Sequence, residues 1–586
     1  MTFADPLGAA LARLDAGTPW KEALEELLLD LPASATDRFM QVLREARGSW
    51  LGLLYAGAGR ALFVGEPLSG TPVALARAGF AVCVADGDET ALRLGAHRTR
   101  DGAPPPAPSA HAVRCEPRSL PFRSDAFDLV VVEGRADDRL IAEARRVGSG
   151  ELVLVADNRF AYKRWSGTRG AFHVPGPLEY LRAALDPRRP ERSLAGYRRV
   201  LTAGGVQEVR SFALYPHALD FALIAGLDGP RAQRPRLFIG PKERENRAKV
   251  LGYRLGLLPL ATPSFALLAA RSAGARRRVD RVLDALAERL GEPRPEILCW
   301  ISSRGNTSVI QTRAPGAPEQ ETRGRWTLHI PHQRYQERQA RRHFRRIGEL
   351  RARFPGVPVP EPLFGQALEG LPVFCERRVV GMTAPQAVGD HERLARTFGD
   401  AARHLAQLVV EEDAELDEAA LAELIDAKFD LVRRHAARDA TQRALDRMRD
   451  ETRERLAGRR LPRVLYHADL RSKHVVIGSG GEVAGYLDWG SSEASDLPYF
   501  DLLHLIVHER KQERRTSAGE AWRLALGEEG LRPTELAALD DYCARIGLDP
   551  EVRAALEGMY PVLVAAMAEK NWDYSRPRWF HASFDV

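Results

Sequence analysis

The chain opens with apolar residues that recur every three or four positions. This spacing runs through KEALEELLLDL (21–31) and DRFMQVLREARGSWLGLLY (37–55), so it predicts amphipathic helices across 1–56. Beyond residue 60 the rhythm changes to short β-rich apolar runs: ALFVG, FAVCVAD, FDLVVVEG and ELVLVAD. Helical or irregular segments separate these runs. Strands that alternate with helices predict a parallel sheet with helices on both faces.

A second change of pattern predicts a domain boundary. The stretch ARSAGARRRVDRVLDALAERLGEPRP (270–295) begins with small and basic residues, becomes helical and ends in a Pro-containing turn. A pattern typical of β-strands returns in ILCWISSRGNTSVIQT (297–312), and a long helical pattern follows near 335–353. The predicted layout is a helical segment at 1–56, an α/β domain at 57–272, a linker helix at 273–295, and an α+β domain at 296–586 whose lobes divide near residue 380.

The composition is that of a multidomain globular protein. The 586 residues are 45% hydrophobic and 28% charged, and no apolar stretch reaches the roughly 20 residues of a spanning helix. The N-terminus lacks a basic region followed by an apolar core, which argues against a signal peptide. The five cysteines are scattered, which disfavours a disulfide framework and a zinc site. We therefore expect a cytoplasmic protein without a transmembrane segment.

The net charge of +6 admits two explanations. It reflects genome composition, or it attracts anionic substrates or an anionic membrane surface. The most basic stretch, RYQERQARRHFRRIGELRARF (334–354), mixes its arginines with acids and with apolar residues at helical spacing. This pattern favours an amphipathic helix over a nucleic-acid arm, so no nucleic-acid partner is expected.

Two aspartates near the C-terminus suggest phosphate chemistry. Asp469 lies in HADLRSKHVVI, in a loop just before an apolar run, and Asp488 ends the next run, AGYLDW. The intervening GSGGE (478–482) predicts a hairpin turn. Phosphoryl transfer from ATP needs an acid that accepts the proton of the acceptor hydroxyl and further acids that hold magnesium. The positions of Asp469 and Asp488 suit these two roles.

Three blocks, HADLRSKH, YLDWG and SDLPYFDL, resemble in order and spacing the aminoglycoside phosphotransferase and choline kinase-like family, a branch of the protein-kinase-like fold. The resemblance covers about 297–586. It implies a two-lobed domain that uses ATP and Mg²⁺ on a small-molecule or glycan acceptor. By this resemblance Asp469 is the catalytic base, Asp488 and His474 are metal ligands, and His467 and Asp501 support the loop.

Several positions depart from the family pattern. His474 replaces an Asn, although magnesium prefers oxygen ligands. Arg471 stands two residues after the base, where protein kinases place a phosphate-facing Lys, so the resemblance makes Arg471 a further catalytic residue.

On the ATP side, His329 in WTLHIP takes the place of the phosphate-binding Lys, and its helix partner falls near His343. The covering loop SSRGNTS has one glycine, Gly305, and Glu376 marks the adenine hinge.

The N-terminal half carries a second candidate cofactor site. ALFVGEPLSGTPVALARAGFAVCVAD (61–86) predicts strand, glycine turn, helix, strand and a final acid, an order in which a nucleoside cofactor meets the turn and the acid. With LPFRSDAFDLVVVEG and EARRVGSGELVLVADNRFAYKRWSG, the run at roughly 45–270 resembles class I S-adenosylmethionine-dependent methyltransferases. This resemblance implies cofactor positions at Gly65, Asp86 and Glu116.

The methyltransferase pattern is incomplete, and two functions stay open. Phe63 stands at the family's first-strand acid, and Pro67 and Ser69 at its second and third glycines; proline also removes an amide donor. The first hypothesis is a bifunctional transferase, a methyltransferase joined to a small-molecule or glycan kinase, in cell-surface polysaccharide or secondary-metabolite modification. The alternative is a catalytically degenerate binding or scaffold module that retains both folds.

Overall fold

The computed structural model describes residues 4–31, 39–55, 57, 59–102, 110–134, 136–161, 191–203, 205–228, 260, 262–272, 277–303, 306–314, 316, 325–383, 391–434, 436, 438–478 and 480–570. The chain divides into two compact units. The first unit comprises Met1–Leu237, Ala248–Glu337 and Gln366–Val373, and the second comprises Phe238–Arg247, Arg338–Gly365 and Phe374–Val586.

The first unit is a Rossmann-like sheet with helices between its strands. Its helices are α1 (Ala4–Asp15), α2 (Trp20–Asp30), α3 (Ala46–Ser49), α4 (Gly70–Arg77), α5 (Glu89–Gly102), α6 (Asp138–Val147), α7 (Leu194–Thr202) and α8 (Arg278–Leu290), with a 3₁₀ turn at Trp50–Leu53. The first eight strands are β1 (Gly59–Val64), β2 (Phe80–Asp86), β3 (Ala110–Arg114), β4 (Phe127–Glu133), β5 (Gly148–Asp157), β6 (Glu208–Tyr215), β7 (Leu223–Gly226) and β8 (Ser264–Ala270).

The parallel half of the sheet confirms the α/β prediction. Strands β3, β2, β1, β4 and β5 lie side by side in that order, and each pairs in parallel with its neighbour. This is the doubly wound arrangement, in which strands buried on both faces form continuous apolar runs. Accordingly Leu62 and Val130 are fully buried in one core cluster with helix α6. Strand β8 then pairs antiparallel with both β5 and β6.

The same sheet continues beyond the predicted linker. Its further strands are β9 (Glu296–Ser302), β10 (Thr307–Arg313), β11 (Trp326–Pro331), β12 (Pro362–Leu368) and β13 (Leu371–Arg377), of which β12 and β13 enter this unit with residues 366–373. The complete strand order is β3-β2-β1-β4-β5-β8-β6-β7-β9-β10-β11-β13-β12. Strand β7 pairs with β9 through Leu223 with Ile301 and Ile224 with Trp300. Helix α8 lies in the predicted linker region, and the predicted domain limits stay a prediction.

The second unit is mainly helical, with two small sheets. Its helices are α9 (Arg334–Arg353), α10 (His391–Leu405), α11 (Glu418–Leu421), α12 (Ala427–Arg433), α13 (Asp439–Leu456), α14 (Phe500–Arg514), α15 (Ala518–Arg523), α16 (Pro533–Ile546) and α17 (Pro550–Lys570). Its strands are β14 (Met382–Thr383), β15 (Val409–Glu415), β16 (Arg460–Tyr466), β17 (Val475–Ile477), β18 (Val483–Tyr486) and β19 (Glu493–Asp496), in the sheets β14-β17-β18 and β15-β16-β19.

The core of the second unit surrounds the segment between β16 and β18. Leu470 and Trp489 are fully buried in the same apolar cluster as helices α14 and α17. The predicted hairpin is present, since β17 and β18 pair antiparallel on either side of residues 478–482. Within the described residues, no helix combines the length and the apolar character needed to cross a bilayer.

Candidate active site

The loop that follows β16 is anchored by the buried carboxylate of Asp501. The backbone N–H groups of His467 and Ala468 donate to the two oxygens of Asp501, at 2.7 and 3.2 Å. Ala468 adopts a φ of 66°, in the left-handed region that favours glycine. Burial raises the pKa of Asp501 to about 8, against the effect of the two N–H donors. The loop therefore turns sharply at Ala468 and presents Asp469 beyond the turn.

His467 connects this loop to the strand that carries the second aspartate. Its Nε2–H donates to the carbonyl of Leu487 at 2.9 Å, and its Nδ1 accepts the N–H of Asp469 at 3.3 Å. The ring packs against Trp489 and stacks on His474, with centroids 4.4 and 6.0 Å away. Burial lowers the pKa of His467 to about 4, so the ring is neutral at pH 7. These contacts hold the loop against the end of β18, and the supporting role that the family resemblance implies for His467 stays a prediction.

Asp469, His474 and Asp488 come together at one point. Each offers a ligand atom, and the three atoms lie within 4.8 Å of one another. The Nδ1–H of His474 donates to the carbonyl of Asp469 at 2.7 Å, which leaves Nε2 facing the carboxylate of Asp488 at 3.2 Å. Burial lowers the pKa of His474 to about 3. An imidazole lone pair therefore faces a carboxylate oxygen, and a cation between them would relieve the repulsion.

The two aspartates have different electrostatic surroundings. Burial raises the pKa of Asp469, and the neighbouring Arg471 partly opposes this shift. Desolvation would also raise the pKa of Asp488, but nearby positive charge, including that of Lys473, holds it below the ordinary value. The Asp488 side chain is 61% exposed, whereas that of Asp469 is 14% exposed. Asp488 thus offers an accessible anion and Asp469 a more basic, shielded carboxylate.

The sequence match decides the family of this part of the chain. Residues 319–542 match the model of the Phosphotransferase enzyme family. They form a phosphotransferase-family domain. The prediction of a transferase is confirmed by this match, and so is the predicted family resemblance. The cluster of Asp469, His474 and Asp488 lies inside the matched range.

Solved structures resemble each half of the chain. A macrolide 2′-phosphotransferase type I is 18% identical and aligns with 54% of this chain and 98% of its own, at a TM-score of 0.34. A Streptomyces rimosus aminoglycoside phosphotransferase, in complex with ADP and streptomycin, is 16% identical over 45% of this chain and 91% of its own, at 0.29. A Thermotoga maritima methyltransferase, described as a possible histamine N-methyltransferase, is 11% identical over 40% and 91%, at 0.24. No curated protein matches the chain.

His343, predicted to be the helix partner of His329, has a buried hydrogen-bond partner that the sequence pattern did not indicate. The Nε2 of His343 lies 2.7 Å from the carboxylate of Glu376, and both side chains are at most 5% exposed. The Nδ1 of His343 accepts the N–H of Trp489 at 3.0 Å. Glu376, expected only to mark the hinge, therefore fixes the orientation of His343. His329 lies on β11 opposite Val309 of β10; Gly305 lies outside the described residues.

Arg471 lies beside the predicted base. Its guanidinium donates to the carboxylate of Asp469 at 2.5 Å. The following residue, Ser472, is fully buried and hydrogen-bonds to His508 of α14 at 2.8 Å, which fixes the loop beyond Arg471. The phosphate-facing role of Arg471 stays a prediction.

The predicted cofactor residues of the first unit follow three neighbouring strands. Gly65, Asp86 and Glu116 come just after or at the ends of β1, β2 and β3, so the sheet brings them to one edge. The carboxylate of Asp86 accepts the N–H of Asp88 at 2.8 Å, and burial raises its pKa. Glu116 is exposed. The three predicted cofactor positions therefore lie along one edge of the parallel, Rossmann-like half of the sheet.

Proposed function

We propose that the C-terminal half transfers the γ-phosphate of ATP to a hydroxyl group of a small-molecule or glycan acceptor. The observation that carries this proposal is the convergence of Asp469, His474 and Asp488 within 4.8 Å on a loop anchored by Asp501. Phosphoryl transfer depends mainly on positioning and charge stabilisation, and this cluster provides a base and a cation-binding group side by side.

Asp469 would accept the proton of the attacking hydroxyl. Its raised pKa makes the carboxylate a better proton acceptor than an exposed aspartate. Arg471, already paired with that carboxylate, keeps it oriented and places a fixed positive charge beside the reacting oxygen.

Asp488 and His474 would hold the divalent cation. The cation supplies charge neutralisation on the ATP phosphates. The Nδ1–H bond from His474 to the Asp469 carbonyl fixes the tautomer, so that Nε2 is the free ligand atom. The cation would therefore be bound by the carboxylate of Asp488 and by Nε2 of His474.

The test is transfer of label from γ-labelled ATP to a panel of hydroxyl acceptors, including macrolides, streptomycin and free sugars. Asp469→Asn should lose transfer, while the rise in melting temperature on adding ATP and Mg²⁺ should persist. Asp450→Asn, a change at an aspartate whose side chain is 70% exposed, is the matched control. Loss of both transfer and nucleotide binding in Asp469→Asn would contradict the assigned role, as would transfer at the wild-type rate.

The bifunctional form of the hypothesis adds S-adenosylmethionine at Gly65, Asp86 and Glu116, with polysaccharide or secondary-metabolite acceptors. Its methyltransferase half is supported by the Rossmann-like strand order and stays a prediction. The alternative, a scaffold that has lost both reactions, predicts no label transfer to any acceptor. We also propose a cytoplasmic location, because all five cysteines are free, as is usual in the reducing cytosol.

A further inference from the structure

The glycine turn after β1 shows how much room the first unit offers an S-adenosylmethionine molecule. A Cβ added at Gly65 would lie 3.0–3.2 Å from Phe63 and from the backbone and side chain of Glu133. A Cβ at Gly70, the first residue of α4, would lie 2.3 Å from the carbonyl oxygen of Arg44. Protein atoms are therefore packed closely against both the turn and the start of the helix, the two backbone elements that a nucleoside cofactor approaches in this type of fold.

A buried ion pair fills the neighbouring position at the end of β4. Arg47 donates to Glu133 at 2.9 Å, and the two side chains are 4% and 5% exposed. Glu133 also accepts the hydroxyls of Ser69 and Thr71, at 3.2 and 2.6 Å. Ser69 in turn caps α4 by accepting the N–H of Thr71. The side-chain donors at this turn and helix start, Ser69, Thr71 and Arg47, thus all bind Glu133.

The segment that supplies Arg47, residues 44–50, also contacts the strands beyond β7. Ser302, at the end of β9, donates its hydroxyl to the carbonyl of Ala46 at 3.0 Å. The Glu45 carboxylate accepts the side-chain amide of Asn306 at 3.2 Å and that of Gln333, which follows β11. One face of the segment 44–50 therefore closes the glycine turn, and the other holds both ends of the β9–β10 turn.

Trp50 extends this contact through aromatic packing. Its ring is 1% exposed and meets Phe212, Phe221 and Trp300 edge to face, with centroids 6.0 to 6.4 Å apart. Trp300 belongs to β9 and Phe212 to β6, so the tryptophan spans the strands on both sides of β7. Such pairs stabilise a junction beyond the area they bury.

We infer that the methyltransferase-like domain binds no S-adenosylmethionine and instead positions the strands that precede the phosphotransferase lobe. The segment 44–50 occupies the cofactor's place and anchors β9 and the β9–β10 turn in one continuous sheet. The positioning half of this inference rests on the proposed ATP-dependent function, whereas the cofactor half does not.

The cofactor half is tested by titrating S-adenosylmethionine and S-adenosylhomocysteine, each to about 1 mM, into the full-length protein by calorimetry and thermal shift. We expect no saturable heat and no rise in melting temperature. Saturable binding of either compound within this concentration range would overturn the inference, whatever the outcome of the phosphotransfer assays.

The positioning half is tested by Ser302→Ala, with the Kd for ATP–Mg²⁺ as the readout. Loss of the bond to Ala46 should weaken ATP binding about fivefold, the effect of one hydrogen bond. Ser149→Ala is the control, because Ser149 makes the same kind of bond, at 3.0 Å, to the carbonyl of Phe127 on β4. Equal ATP affinities in the two variants would overturn the positioning role. Absence of ATP binding in the wild type would instead contradict the proposed function, and with it the positioning role.

Discussion

Replacing Arg47 with methionine isolates the energetic role of the ion pair at the glycine turn. The change keeps an unbranched apolar stem but leaves the Glu133 carboxylate buried beside two hydroxyls and no cation. Removing one partner of a buried pair costs about 3–5 kcal/mol, because the remaining charge stays desolvated. In a unit of more than 300 residues, 1 kcal/mol moves the melting temperature by only about 1–2 °C, so we expect a fall of roughly 3–10 °C.

The assay is differential scanning calorimetry of the full chain, with the transition of the first unit followed separately. The control is Arg139→Met, an exposed arginine of α6 in the same unit, which should move that transition by less than about 2 °C. The double variant Arg47→Met/Glu133→Gln removes both charges and should recover most of the loss. A fall in Arg47→Met no larger than in Arg139→Met, or additive losses in the double variant, would refute the reasoning.

Three further predictions concern the second unit. Ala468→Gly should raise the free energy of unfolding by about 1 kcal/mol, because alanine is strained at a φ of 66°; Ala401→Gly, inside helix α10, should lower it by a similar amount, and equal losses in both would contradict the strain. Burial raises the pKa of Glu509 from 4.5 to about 7, so the native state binds the proton more tightly and stability falls as pH rises between these values. Glu509→Gln should therefore gain up to about 3 kcal/mol over the wild type between pH 4.5 and pH 8 in denaturant titrations, while the exposed Glu528→Gln should not. His474→Asn exchanges a nitrogen ligand for an oxygen, so the ratio of ATP affinity in Mn²⁺ to that in Mg²⁺ should fall; an unchanged ratio would show that His474 does not contact the ion.

The parts of the site that lie close together in sequence could be predicted. The loop with Asp469 and His474 and the strand end at Asp488 are separated by one hairpin, so local patterns fix their approach. The parallel strands could also be predicted from the sequence, because a strand buried on both faces is a nearly continuous apolar run such as FDLVVVE.

The contacts between distant residues could not be predicted. Arg47 and Glu133 are 86 positions apart, and Arg47 looks in sequence like any basic residue on an amphipathic helix. Only the packing of α3 on α4 turns its side chain inward. Likewise, the sequence around Glu376 has the pattern of an ordinary strand. Its contact with His343, 33 residues earlier, arises only from the fold. Strands β7 and β9 pair although about 70 residues separate them in the sequence. At that separation, the hydrophobic pattern does not indicate which residues of two short strands pair with each other.

The central claim, that Asp469, His474 and Asp488 form the cation and phosphate site of a phosphotransferase, is tested most directly by the metal dependence of ATP binding. Calorimetric titration of ATP with and without Mg²⁺ should give an affinity at least about tenfold higher with the ion in the wild type. In Asp488→Ala this difference should disappear. An equal affinity with and without Mg²⁺ in the wild type, or an undiminished metal effect in Asp488→Ala, would contradict the claim.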